Sequence, residues 1–182
     1  MNALVPALDA LDRRVHARLR AWSGPLGVIA LLRTFSALGD GWMWLLGGAV
    51  VAVAAPRPLT RLASVAAVAA FANLLIVALK ATVRRRRPAA YVPNAFLIAA
   101  VGAPPDCDRF SFPSGHAANA VALAVVLGHT FPTAGSALLL AAALVGGSRV
   151  VLGHHYLTDM MAGVMVGAIA GTAAWLPTPF GG

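Results

Sequence analysis

The sequence has no glutamate, one lysine (Lys80) and one cysteine (Cys107). A single thiol excludes a disulfide within the chain and a metal centre built from cysteines. Charged side chains make up only 11% of the 182 residues, against 59% hydrophobic. That balance lies far from the soluble norm and argues against an ordinary water-soluble domain. The start does not read as a standard signal peptide, because charges run through residues 9–20 and no apolar core follows the first residues directly. Neither a convincing internal repeat nor a long disordered tail is visible.

What is present is a series of apolar runs near the ~20 residues needed to cross a hydrocarbon core. The length suits one domain. The formal net charge is +8, which in a soluble chain would suggest nucleic acid. Here the arginines cluster outside the apolar runs, so lipid headgroups and phosphate are the expected partners, with no nucleic acid. Residues 3–22 place Leu4, Leu8, Leu11, Val15, Leu19 and Trp22 at spacings of four and three. This predicts an amphipathic helix that lies in the membrane interface or packs on the protein's own surface. Over 25–55, Arg33 and the Gly39-Asp40-Gly41 turn leave too little room for two full spans. A short helix over 26–38 and a span over 40–56 are expected. Further spans are expected at 62–80, 114–131, 134–152 and 155–176, with a polar loop over 84–112. The fold class is therefore all-α: a membrane bundle of five to six transmembrane helices behind an N-terminal amphipathic segment over 1–39. Gly163, Gly167 and Gly171 recur every four residues, a row that admits a close helix neighbour or a dimer contact.

Ionisable groups are expensive in such a chain and mark function. Six residues separate Lys80 from Arg87-Pro88. Pro113-Ser114-Gly115-His116 follows, then Ser148-Arg149, five residues, His155, three residues and Asp159. With the span count above, all these places fall on one membrane face. His155 and Asp159 are one helical turn apart, so a carboxylate could fix the ring tautomer and leave the other nitrogen to attack. Ser114 reads as a helix cap, with Gly115 letting a ligand approach the first backbone N–H groups. His116 could exchange protons with a leaving group and water. Lys80, Arg87 and Arg149 would neutralise phosphoryl oxygens. Taken singly, each feature also reads as ordinary capping or packing. Arg84, Arg85 and Arg86 read as a solvated or headgroup-facing run, and Asp40 as a helix cap or, second to that, a residue facing the pocket.

Together the three segments resemble the type 2 phosphatidic acid phosphatase superfamily, across roughly residues 40–176. The resemblance implies a catalytic domain over 40–176 and a membrane lipid phosphatase. His155 would form a phosphohistidine, Asp159 orient it, and His116 act as acid and then base. Lys80, Arg87, Ser114, Gly115 and Arg149 would hold the phosphate, with no metal and no cofactor. Implied substrates are a phosphomonoester or diphosphate of a lipid: undecaprenyl diphosphate, phosphatidylglycerol phosphate, phosphatidic acid or lipid A. The implied location is the bacterial cytoplasmic membrane, with the site facing the periplasm or exterior. Arginine counts alone place that face in the cytoplasm, but arginines kept for chemistry distort such a count, and the outward placement is adopted. A phosphotransferase with the same intermediate, a vanadium haloperoxidase and a non-enzymatic lipid transporter are the alternatives. Nothing in the sequence fixes the oligomeric state; a homo-oligomer is compatible with it.

Overall fold

A computed structural model describes residues 4–88 and 109–173. Among them are seven α-helices and no strand: α1 Leu4–Arg20, α2 Leu26–Leu38, α3 Met43–Ala54, α4 Pro58–Val83, α5 Gly115–Thr130, α6 Gly135–Val151 and α7 Leu157–Ala173. Each apolar run forms a helix close to its expected bounds. Pro58 opens α4, where the missing N–H costs nothing. Pro132 begins a 3₁₀ turn between α5 and α6.

α5 is the axis of the bundle. It packs against α4, α6 and α7, and touches α3. Its buried face is small: Ala117, Ala118, Ala120, Ala122 and Ala124 bring neighbouring backbones close. The glycine row lies on the α7 side of this contact. A β-carbon on Gly163 would run into the Ser114 carbonyl, one on Gly167 into the Ala118 carbonyl, and one on Gly171 would come within 2.7 Å of Val125. The row is thus spent on packing inside the chain. Below, Val51, Val65, Val68, Leu123, Val126 and Leu127 close an apolar core. Asn119 donates to Asn73 at 3.3 Å, linking α5 to α4, a polar contact of the kind that joins helices in lipid.

The outer surface is apolar too. Leu26, Leu45, Val53, Leu59 and Met165 are each at least 65% exposed, which suits a lipid surrounding rather than water. Pro58–Val83 and Pro132–Val151 are long and apolar enough to cross a membrane. The pair α2–α3, bent by 67°, adds a third candidate as one broken span. Leu26–Leu38 is thus the first arm of a bent helix pair.

α1 turns Asp12 inward and leaves Arg13, Arg14, Arg18 and Arg20 exposed. Asp12 is 1% exposed, while Val5, Leu8 and Leu11 face out. The helix packs on α6 and α7.

Candidate active site

The chemistry-bearing residues gather where α4 and α6 end and α5 and α7 begin. Lys80, 3% exposed, lies in the last turn of α4. Arg84 adopts a left-handed conformation (φ 50°) and stops that helix. The chain then pairs with the segment before the second motif. Arg86 forms an antiparallel bridge with Phe110, and the Ser111 N–H donates to the Arg85 carbonyl at 2.8 Å. This short staple joins the first motif to the second and carries Arg87 to the imidazole.

At the end of α6 the chain reverses through Gly153 (φ 75°), a conformation that costs other residues energy. The N–H groups of His154 and His155 both donate to the Arg149 carbonyl, at 2.9 and 3.1 Å. The spacing between Arg149 and His155 is thus the length of one closed turn.

His155 is buried. Its Nδ1 lies 2.7 Å from the Ser111 carbonyl. A carbonyl only accepts, so Nδ1 carries the proton. Arg87 donates from Nη1 to Nε2 at 3.1 Å, so Nε2 holds the lone pair. Burial, followed by the nearby charges of Arg87, Arg149, Lys80 and His116, holds this histidine well below its ordinary value. The ring is therefore neutral at pH 7, the form that can attack phosphorus.

Asp159 is fully buried, but its Oδ2 stands 3.8 Å from His155 Nδ1, beyond hydrogen-bond range. The expected orienting bond comes from the Ser111 carbonyl instead. Asp159 accepts from the Tyr156 N–H at 2.8 Å and from Arg85 Nη1 at 2.9 Å. Its own carbonyl accepts from the Ser114 N–H at 2.9 Å, tying the start of α7 to the start of α5. Ser114 is the N-cap of α5, and its buried Oγ has no hydrogen-bond partner among the described residues. A fully buried hydroxyl in that condition is costly unless a ligand completes it. Gly115 is the first residue of α5, and His116 follows in its first turn.

His116 Nε2 donates to Asp40 Oδ1 at 2.9 Å. Asp40 thus reaches across the bundle from the α2–α3 elbow, while the N-cap of α3 is Trp42, which makes no side-chain capping bond. Arg149 Nη1 donates to the Ser36 hydroxyl on α2. The structure therefore brings together all eight residues singled out in the sequence, adds Ser111 and Ser36, and puts Asp40 in the pocket-facing one of its two readings. Arg85 also departs from expectation, since its side chain is 22% exposed and ion-paired rather than solvated. In the loop before the second motif, Tyr91, Asn94 and Phe96, which the sequence offers as loop packing or as the lining of a lipid entry, lie outside the described residues. Among the described residues no group of three or more His, Cys, Asp or Glu could hold a metal ion.

The model of the PAP2 superfamily matches residues 61–179, a stretch that contains all three motifs. The chain belongs to the PAP2 superfamily. Among the relatives of this PAP2 chain, decaprenylphosphoryl-5-phosphoribose phosphatase from Mycolicibacterium smegmatis is 38% identical over 158 residues, spanning 85% of this chain and 80% of that protein. The protein of the same name from Mycobacterium tuberculosis is 32% identical over 149 residues, spanning 80% of this chain and 77% of its own length. Two solved structures share the fold. LpxE of Aquifex aeolicus aligns with a TM-score of 0.68 at 22% identity, over 91% of this chain and 93% of that one. The transmembrane PAP2 type phosphatidylglycerolphosphate phosphatase from Bacillus subtilis gives 0.65 at 24%, over 96% and 86%.

Proposed function

We propose that this PAP2 protein is a membrane lipid phosphatase that works through a phosphohistidine on His155. One observation carries the reading: a buried, neutral imidazole turns its lone pair toward Arg87, with Lys80 and Arg149 also close. In the first step Nε2 of His155 bonds to phosphorus and the bond from phosphorus to the lipid oxygen breaks. His116 gives that oxygen a proton. Lys80, Arg87 and Arg149, with the Ser114 hydroxyl and the Gly115 N–H, hold the phosphoryl oxygens as charge spreads over them. In the second step water attacks phosphorus, His116 takes its proton, and the bond from phosphorus to nitrogen breaks. Phosphate leaves and His155 returns to its starting state. No metal takes part.

The substrate is a phosphomonoester or diphosphate on a lipid. The relatives named for decaprenylphosphoryl-5-phosphoribose favour a sugar phosphate carried on a polyprenyl phosphate. The bundle crosses the cytoplasmic membrane five times, with α2–α3 as one broken span, and opens its site to the outer side. The outward Val5, Leu8 and Leu11 of α1 rest in the membrane interface. The catalytic domain is residues 40–176, preceded by the segment 1–39.

The test is phosphate release by the purified protein in detergent, with EDTA present. The panel would hold a polyprenyl-linked sugar phosphate, undecaprenyl diphosphate, phosphatidylglycerol phosphate, phosphatidic acid and lipid A. Release from at least one is expected. No release from any, with a folded protein, would sink the reading. Transfer of the group to an added lipid in place of release would convert it to a phosphotransferase.

A further inference from the structure

Helix α1 lies outside the matched family region, yet its inward carboxylate reaches the nucleophile's supports. Arg85 is the junction. Its Nη1 donates to Asp159 Oδ1 at 2.9 Å and to Thr158 Oγ1 at 2.7 Å. Its Nη2 donates to Asp12 Oδ2 at 2.8 Å and to Asp9 Oδ1 at 3.1 Å. The guanidinium also stacks over the Tyr156 ring, 4.3 Å from its centre. Through its backbone, the same residue holds Ser111, whose carbonyl takes the His155 proton. Arg85 therefore fixes both groups that face Nδ1 of His155, one by side chain and one by main chain.

The two carboxylates of α1 are unequal. Asp9 is half exposed and water screens its pair with Arg85. Asp12 is buried. It also accepts from the Thr158 N–H at 3.1 Å and from the Thr158 hydroxyl. Removing one member of a buried, hydrogen-bonded ion pair leaves its partner uncompensated. His16 adds an edge contact to Tyr156, with ring centres 5.9 Å apart.

We infer that Asp12 is a positioning residue: through Arg85 and Thr158 it holds the His155–Asp159 turn in attacking geometry, so that α1 belongs to the working site. The inference rests on the phosphatase reading for its kinetic part. Asp12 touches none of the phosphate-holding cations Lys80, Arg87 and Arg149 in the contacts above, so its loss acts on the chemical step and leaves substrate binding in place. Small misplacements of a reacting group cost rate on the order of 10²-fold.

The test uses the full chain in detergent, with Asp12→Ala, Asp12→Asn and Arg85→Lys. Asp12→Ala is expected to lower kcat on the order of 10²-fold with KM changed less than about threefold. Asp12→Asn retains an acceptor for Thr158 and recovers part of the loss. Arg85→Lys does not, because an ammonium lacks the fork that spans two carboxylates. Hydrogen–deuterium exchange of segment 152–159 supplies a readout without turnover, and should speed up in Asp12→Ala while α5 stays protected. Wild-type protein that releases no phosphate would overturn the phosphatase reading and leave the exchange arm to decide positioning. A fully active Asp12→Ala, or unchanged exchange in 152–159, would overturn the inference. If Asp12→Ala fails to fold, the Asn variant decides by the same two readouts.

Discussion

His155 and His116 occupy two corners of one site under different constraints. The His155 corner is held by the Ser111 carbonyl on one ring nitrogen, Arg87 on the other, and two bonds to the Arg149 carbonyl from its own turn. The ring of His116 bonds to Asp40, from an elbow between two helices. The difference suits the two tasks proposed for them. A nucleophile must meet phosphorus along one line, and tolerates little angular freedom. A proton carrier must serve a leaving oxygen and then a water, in two places, and one carboxylate contact fixes its ring less tightly.

The largest break in this comparison would come from His155→Ala. Phosphate release should fall by roughly 10³-fold or more, since no neighbour can form the same bond. Detergent-solubilised variant of unchanged elution volume would show that folding is intact. Turnover at the wild-type rate would remove His155 from its role.

Gly163→Ala should come next. The added methyl meets the Ser114 carbonyl, and overpacking costs about 1–3 kcal/mol. Because Ser114 starts the helix that bears His116, thermal unfolding in detergent should shift down and phosphate release should fall with it. An unshifted melting curve would show that α5 and α7 have slack at that point.

Asp40→Asn sharpens the contrast. A hydrogen bond to a charged group contributes ~1.5–3 kcal/mol, so kcat should drop roughly 10- to 100-fold while KM holds. A rise in KM alone would reassign Asp40 to substrate binding.

The smallest effect is in pH. Burial and the surrounding cations depress His155, so its ring stays unprotonated as pH falls past the ordinary histidine value of about 6.5. The rate of phosphohistidine formation in a single turnover should persist there and decline only further into acid. A decline centred at the ordinary value would contradict the depression.

The helices were legible because lipid imposes a simple code: long apolar stretches, punctuated by Pro58, Pro132 and the turn at Gly39-Asp40-Gly41. The motif residues were legible because ionisable groups are rare enough to stand out. What escaped the sequence was of another kind. Ser111 acts through its carbonyl, which no side-chain pattern announces. Asp40 finds His116 76 positions away, and Asp12 finds Thr158 146 positions away. Local reasoning favours a cap for the first and only sets the second off the apolar stripe of its helix, since both are ordinary places for aspartate near helices. Arg85 was hidden by its neighbours, because Arg84, Arg85 and Arg86 look alike until the fold singles one out.

Arg87 has one more consequence. In the resting protein its guanidinium rests on the lone pair of Nε2, so the atom proposed to attack is masked by a cation. On the proposed mechanism an incoming dianion competes for that same cation and draws it off the ring. The ligand's own charge thereby unmasks the nitrogen, and a neutral molecule that strays into the cleft has no means of doing so.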